Sequence, residues 1–142
     1  MIDVVTYGVV AQLQQAYADI ASRGAWGEAT AIFIPGANIS FRTWSGAVFD
    51  LQGADSFGAF GGQMTDRYSF FEYFPMNFVA WPLGDGKLGG RTYSLEVGEE
   101  RPSGAWVESF SVYDDEYAQH DGAWRFASRA QRTVMQRVTP KP

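Results

Sequence analysis

Hydrophobic residues recur at steps of three and four along the first third of the chain, which predicts helices there. From Asp3, a candidate N-cap, to Arg23 the spacing is that of one long amphipathic helix. Gly24 can end this helix. Helical spacing resumes at Trp26 and stops at the Pro-Gly pair of residues 35–36, which predicts a short second helix beside the first.

Alternation of apolar and polar residues then replaces helical spacing and predicts strands. Residues 37–44 and 47–51 form a candidate hairpin, and residues 53–64 predict a short third helix that several glycines weaken. The remainder predicts four long strands, over residues 67–82, 87–98, 104–118 and 123–138. This order predicts a single α+β domain over residues 1–142. In it, a cone-shaped, curved antiparallel sheet wraps around three N-terminal helices and leaves a cavity.

Composition and charge narrow the possible partners. The 142 residues are 46% hydrophobic and 16% aromatic, which is enough for one substantial core. The net charge is −5 and the basic residues form no run, so neither nucleic acid nor a membrane is expected as a partner. The N-terminal residues lack a signal-like pattern, so a cytoplasmic location is expected. With no cysteine and a single histidine, His120, in a predicted turn, no metal site is expected.

Two segments resemble a known family. Residues 17–41, YADIASRGAWGEATAIFIPGANISF, look like its helix, Trp-containing second helix and first strand. Residues 112–129, VYDDEYAQHDGAWRFASR, look like its signature of two tyrosines, a Gly turn, Trp and Arg. The chain thus resembles the SnoaL-like branch of the nuclear-transport-factor-2-like superfamily, with relatives such as scytalone dehydratase, ketosteroid isomerase, hexachlorocyclohexane dehydrochlorinase and polyketide cyclases. The resemblance implies a pocket for an apolar small molecule and chemistry without a cofactor.

The resemblance also shows which family groups this chain lacks. In the dehydratase and the dehydrochlorinase, an Asp orients a His that removes a proton. The spacing to Trp26 puts Ser22 at the Asp position, and the spacing to Asn77 puts Tyr73 at the His position. Neither Ser nor Tyr serves readily as a base near neutral pH. The family mechanism therefore cannot apply unchanged, and Ser22 and Trp26 are expected to contact the substrate instead.

Strand alternation predicts further side chains for the inner face of the sheet. Asn77 lies four residues after Tyr73 and is expected on the same face. The resemblance places Arg129 there, and the remaining polar members of this inner set are Thr92, Ser94, Glu96, Ser109, Ser111, Gln131 and Thr133. A shift of one residue in any strand would reverse these expectations.

These residues allow two functions. In the first, Tyr73, Tyr17 and Arg129 stabilise negative charge on an apolar polyketide-like or steroid-like substrate of a cofactor-independent lyase or isomerase, a dehydratase, double-bond isomerase or cyclase. The candidate bases are Glu96, Glu72, Glu108 and Asp50. In the second, the protein binds a small molecule without catalysis, as the missing Asp-His pair would allow. An epoxide hydrolase would need an arginine between two acidic groups, and the spacing does not assemble one.

Residues 67–81 have apolar side chains on both faces of the predicted strand. One face would line the cavity, and the other would stay exposed unless something covers it. Because a large exposed apolar patch marks an interface, the segment predicts a homodimer through the outer face of the sheet.

Overall fold

A computed structural model describes all residues, 1–142. The first helix, α1, spans Val4–Arg23. The Asp3 carboxylate accepts a hydrogen bond from the Thr6 backbone N–H at its start, as an N-cap does. Gly24 ends it in the left-handed conformation, with φ of 65°, and Ala25 N–H donates back to the Ile20 carbonyl. Capping at both ends therefore fixes the length of α1.

Two shorter helices accompany α1. A 3-10 helix spans Trp26–Ala31, and the helix α2 spans Ala54–Thr65. None of the helices is long and apolar enough to cross a membrane. The 3-10 helix stands where the second helix was predicted. It is shorter and more tightly wound than the spacing suggested, and it ends before the Pro-Gly pair at residues 35–36.

Six strands form one sheet. Their bounds are β1 Phe33–Arg42, β2 Val48–Gln52, β3 Tyr68–Gly84, β4 Lys87–Glu100, β5 Trp106–His120 and β6 Ala123–Thr139. Their order across the sheet is β2-β1-β6-β5-β4-β3. The predicted α+β class and helix-wrapping curved sheet are confirmed, with one refinement. The β1–β6 pair is parallel, so the sheet is mixed.

The connectivity explains where the cavity lies. The hairpin β1–β2 ends at one edge of the sheet, and β3 begins at the other, so the chain must cross between them. It crosses as α2, which packs against β1 and the 3-10 helix. The meander β3 to β6 then returns to β1. The space between these helices and the inner face of the sheet is the position of the candidate site.

Aromatic side chains build most of the core between the helices and the sheet. Tyr17 on α1 lies at its centre and packs against five aromatic rings at centroid distances from 5.3 to 6.4 Å. The other rings of this cluster include Phe33, Phe57 and Phe126, each no more than 1% exposed. Such rings leave less freedom for repacking than aliphatic side chains do, and they form a rigid wall for a site.

Candidate active site

Register across the sheet brings one polar residue from each of four strands into a row. Tyr73 on β3 is paired with Glu96 on β4, Glu96 with Ser109 on β5, and Ser109 with Gln136 on β6. Directly paired residues point to the same face of a sheet. Because all four line the same cavity, that face is the inner one.

This cavity, the inner chamber, has a volume of about 140 Å³ and is lined by 20 residues, of which 12 are hydrophobic. Helices and strands both supply aromatic side chains to the wall, and most of its polar side chains come from the sheet. The polar lining from the sheet consists of Glu96, Ser109, Gln131, Thr133 and Gln136. A mostly apolar wall with a few converging polar groups is typical of a small-molecule site.

Glu96 is the only acidic or basic side chain that lines the inner chamber. Its Oε1 accepts hydrogen bonds from the Tyr113 hydroxyl at 2.6 Å and from the Ser94 hydroxyl at 3.4 Å. Its Oε2 has no hydrogen-bond partner within the protein and is not fully buried. Because Glu96 lines the chamber, this oxygen is open to it. Burial raises the pKa of Glu96, although the Tyr113 hydrogen bond and the Arg129 charge oppose the rise.

Two tyrosines flank the chamber beside Glu96. Burial raises the pKa of both Tyr17 and Tyr73, so both hydroxyls stay protonated and can donate hydrogen bonds. The Tyr73 oxygen accepts a hydrogen bond from Arg129 Nη2 at 3.3 Å. The positive charge of Arg129 opposes the rise in the pKa of Tyr73 without cancelling it.

Arg129 is fully buried behind the tyrosines and does not line the chamber, so the expectation that it faces the hollow with Tyr73 is wrong. Its guanidinium carbon lies 4.0 Å from the ring centroid of Tyr17, 4.1 Å from that of Tyr113 and 4.8 Å from that of Phe126. Of these rings, Tyr17 and Tyr113 line the chamber, whereas the guanidinium does not. Arg129 therefore acts on a bound molecule only through Tyr73 or through its electric field.

The charge of Arg129 is balanced by a polar cluster on its far side. Its Nε lies 3.6 Å from Asp115 Oδ1, and its Nη2 donates to Gln14 Oε1 at 3.1 Å. Gln14 Nε2 in turn donates to Asp115 Oδ2 at 2.8 Å and also contacts the Tyr117 hydroxyl. Although Arg129 has Asp115 on one side and Glu96 within electrostatic reach, it is screened from the chamber. An epoxide-hydrolase trio is therefore not exposed there.

Sequence reasoning missed Gln14, Tyr113, Asp115 and Tyr117 as parts of this arrangement. A signal was available for three of them. Tyr113, Asp115 and Tyr117 occur at every second position of one strand, so alternation puts them on one face, the face of Ser109 and Ser111. Gln14 interrupts the apolar stripe of α1, but only tertiary structure shows that it meets Asp115.

Two of the expected substrate contacts lie elsewhere. Asn77 is exposed, because the pairing of β3 with β4 shifts between Pro75 and Phe78, and this bulge reverses the alternation after Tyr73. Ser22 does not line the chamber, because its hydroxyl accepts a hydrogen bond from the Tyr73 backbone N–H at 3.1 Å. It attaches the end of α1 to the edge strand β3.

Of the other three expected contacts, two line the chamber and one does not. Trp26 lines the chamber and donates through Nε1 to the Thr65 hydroxyl at 3.1 Å, and Ser109 also lines it. Ser111 is buried outside the lining, where it accepts a hydrogen bond from Gln131 Nε2 at 2.9 Å.

Of the four candidate bases, only Glu96 lines the chamber, whereas Glu72, Glu108 and Asp50 do not. No group of three or more His, Cys, Asp or Glu side chains is placed to hold a metal ion.

A curved sheet around helices, with an apolar chamber and no opposing second sheet, defines the class of nuclear-transport-factor-2-like cones. The SnoaL-like domain family matches residues 6–130, and the chain belongs to that family. No curated protein matches the sequence.

Solved structures agree with this fold. LinA is 16% identical, with a TM-score of 0.84, and the alignment covers 97% of this chain and 90% of LinA. The hexachlorocyclohexane dehydrochlorinase LinA-type3 from Novosphingobium barchaimii is 17% identical, with a TM-score of 0.83 and coverages of 97% and 91%. Aln2 from Streptomyces sp. is 16% identical, with a TM-score of 0.77 and coverages of 94% and 93%. At such identities the likeness concerns the fold alone.

Proposed function

We propose that the protein is a cofactor-independent lyase or isomerase that removes a proton from a carbon next to a carbonyl group. Its substrate is an uncharged apolar molecule of polyketide-like or steroid-like chemistry. The observation that carries the proposal is Glu96, a half-buried carboxyl group that lines the chamber, with one oxygen bound by the Tyr113 hydroxyl and the other without a protein partner. One structural neighbour is a hexachlorocyclohexane dehydrochlorinase, which is consistent with elimination chemistry on this fold.

In the proposed reaction three side chains of the chamber wall take part. Glu96 Oε2 accepts the proton, and the electron pair of the broken C–H bond moves onto the carbonyl oxygen. Tyr73 and Tyr17 donate hydrogen bonds to that oxygen as its negative charge grows, which stabilises the transition state. The enolate then either expels a leaving group with its electron pair, as in a lyase, or takes the proton back at another carbon, as in an isomerase.

Exchange of hydrogen for deuterium tests the base without knowledge of the natural substrate. Phenyl alkyl ketones incubated with the protein in D₂O should gain deuterium next to the carbonyl, as followed by NMR. Glu96→Gln should lower the exchange rate by about 100-fold or more, since a positioned base contributes about 10²–10⁴ in rate. Glu72→Gln is the matched control, because Glu72 sits on the neighbouring strand outside the chamber. Equal rates for the two variants would contradict the role of Glu96.

The pH dependence of exchange follows from the raised pKa of Glu96. Only the ionised carboxylate accepts a proton, and burial moves ionisation above the ordinary value of 4.5. The rate should therefore rise with pH and level off only above the range of an ordinary glutamate. In Glu96→Gln this rise should vanish, and a wild-type rate that is flat across the same range would argue against a glutamate base.

A second candidate is a non-catalytic small-molecule binding protein, and Ser22 favours it. Where relatives have an Asp that orients a base, this chain has a hydroxyl that bonds to the Tyr73 backbone. Binding of the ketones without any exchange above the rate of buffer, in both the wild type and Glu96→Gln, would select this function over the enzyme.

A further inference from the structure

A second cavity of about 350 Å³ adjoins the inner chamber, and we call it the vestibule. The two cavities have part of their walls in common. The residues that line both are Thr43, Trp44, Met64, Tyr68 and Gln136. Because each of these side chains borders both spaces, the two cavities lie side by side.

Val107 and Val138 line the vestibule and belong to the inward-facing row of the sheet next to that of Glu96. Gly98 on β4 is paired with Val107 on β5, and Val107 with Val138 on β6. A Cβ at Gly98 would lie 2.6 Å from the ring of Tyr68, so only glycine lets that ring lie close to the sheet. Gly98 therefore seats an aromatic ring at the junction of the two cavities.

The wall of the vestibule combines exposed apolar side chains with one positive and one negative side chain. Trp44 is 55% exposed and Val138 52% exposed, although both line a concave surface. The charged residues of the lining are one cation, Arg67, and one anion, Glu100. Since their charges offset each other, the lining favours an uncharged apolar group.

The inner chamber alone is small for the substrate class proposed above. A cavity of roughly 150 Å³ in another protein binds benzene, so a chamber of about 140 Å³ holds about one six-membered ring. Sites for larger organic molecules run from about 300 to 1,000 Å³, a range that the chamber reaches only together with the vestibule.

We propose that the vestibule is a second subsite that binds an uncharged apolar extension of the substrate, whose ring-sized reacting end occupies the inner chamber. The assignment of the reacting end rests on the proposed function, whereas the binding of the extension does not. The substrate class is accordingly a ring-sized carbonyl compound that carries an alkyl or aryl chain.

Two matched ligand series separate the subsite from the chemistry. Phenyl alkyl ketones and alkylbenzenes, each with chains from methyl to hexyl, are titrated into the protein and their dissociation constants measured by calorimetry. In both series the affinity should rise by about threefold to fourfold for each methylene that enters the vestibule. The slope of affinity against chain length measures binding in the vestibule. The difference in affinity between a ketone and an alkylbenzene of the same chain length measures recognition of the carbonyl group by the polar side chains of the inner chamber.

Two valines on β6 provide matched variants. Val138→Asn should weaken binding of the hexyl ketone by about tenfold through lost apolar contact and that of the methyl ketone by less than about twofold. Val134→Asn should change neither, because Val134 is similarly exposed but lines neither cavity. An affinity that is independent of chain length, a failure of all the ligands to bind, or an equal slope in Val138→Asn would overturn the subsite. A slope without an offset would leave the subsite standing and contradict the carbonyl chemistry.

Discussion

Among single residues, Arg129 is under the strongest electrostatic constraint. A guanidinium with no exposed surface survives only because a carboxylate, an amide oxygen and aromatic faces surround it. Even so, its Nε and Nη1 have no hydrogen-bond partner, and neither does Asp115 Oδ1. The hydrogen bonds of the pair are therefore incomplete, and each charge depends on the other to offset the free energy of its burial. Loss of either member should destabilise the fold.

A double-mutant cycle measures the coupling between Arg129 and Asp115. Arg129→Met leaves a buried carboxylate unpaired and should destabilise the protein by about 3–5 kcal/mol. Asp115→Asn should also destabilise it, because the cation then has no counter-charge. The double variant should lose less than the sum of the two, since it removes both buried charges together. Urea unfolding followed by fluorescence gives each free energy.

A neighbouring ion pair serves as the control for this cycle. Asp114 directly precedes Asp115 on β5 and pairs with Arg91 on β4 at 2.6 Å, but both side chains of this pair are more than a third exposed. Arg91→Met should change the stability little, because water screens exposed pairs. Additive losses for Arg129 and Asp115, or a loss at Arg91 of the same size, would show that burial is not what couples the pair.

The site residues show what alternation can and cannot provide. Tyr73, Glu96 and Ser109 were predicted on the inner face because nothing interrupts the period of two near them. Asn77 was misplaced because a bulge adds a residue to β3, and a bulge leaves no mark in the pattern of one strand. Arg129 was predicted on the correct face, but the rings that screen it come from α1 and two strands. No local pattern encodes that screening.

At the scale of elements, the fit between α2 and the 3-10 helix shapes the inner chamber. A Cβ at Gly61 of α2 would lie 2.5 Å from the ring of Trp26, so the ring lies directly against the helix backbone. Trp26 then lines the chamber and bonds to Thr65 on the next turn. The glycines that seemed to weaken this helix in the sequence include one that the packing requires.

Adjacent glycines in α2 make this requirement testable. Gly61→Ala should destabilise the protein by about 1–3 kcal/mol, because the added methyl group pushes Trp26 out of its seat. Gly62→Ala should stabilise it by roughly 0.5–1 kcal/mol, because nothing lies within 4 Å of a Cβ there and alanine favours the helix. Urea midpoints of the two variants check this, and a change of the same sign in both would refute the packing explanation.

The elements themselves were more predictable than their partners. The four long strands of the meander follow from alternation and Gly-containing turns, since consecutive strands pair by short hairpins. The parallel pairing of β1 with β6 joins segments about 90 residues apart, and only the path of α2 across the sheet brings them together. The helix predicted from Trp26 to Phe33 ends at Ala31, because Phe33 already belongs to β1 and pairs with Phe126 on β6.

At the scale of the whole molecule, the face of the sheet that points away from the helices carries an uncovered apolar row. Phe74 is paired with Leu95, Leu95 with Phe110, and Phe110 with Met135, one position along from the inward-facing row of Glu96. Three of these four are between 39% and 47% exposed. A row of large apolar side chains across four strands is costly in water, and such a surface marks an interface.

We expect this row to be covered by a second copy of the chain, as the apolar residues of 67–81 predict. Light scattering at micromolar concentration should give twice the chain mass of 15.7 kDa. Phe110→Glu should shift the mass to that of the monomer, because it places two carboxylates into an apolar contact between like surfaces. Val5→Glu on α1 is the control, since Val5 is 76% exposed and lies away from the row. A wild-type monomer, or a dimer that persists in Phe110→Glu, would show that the row is not the interface.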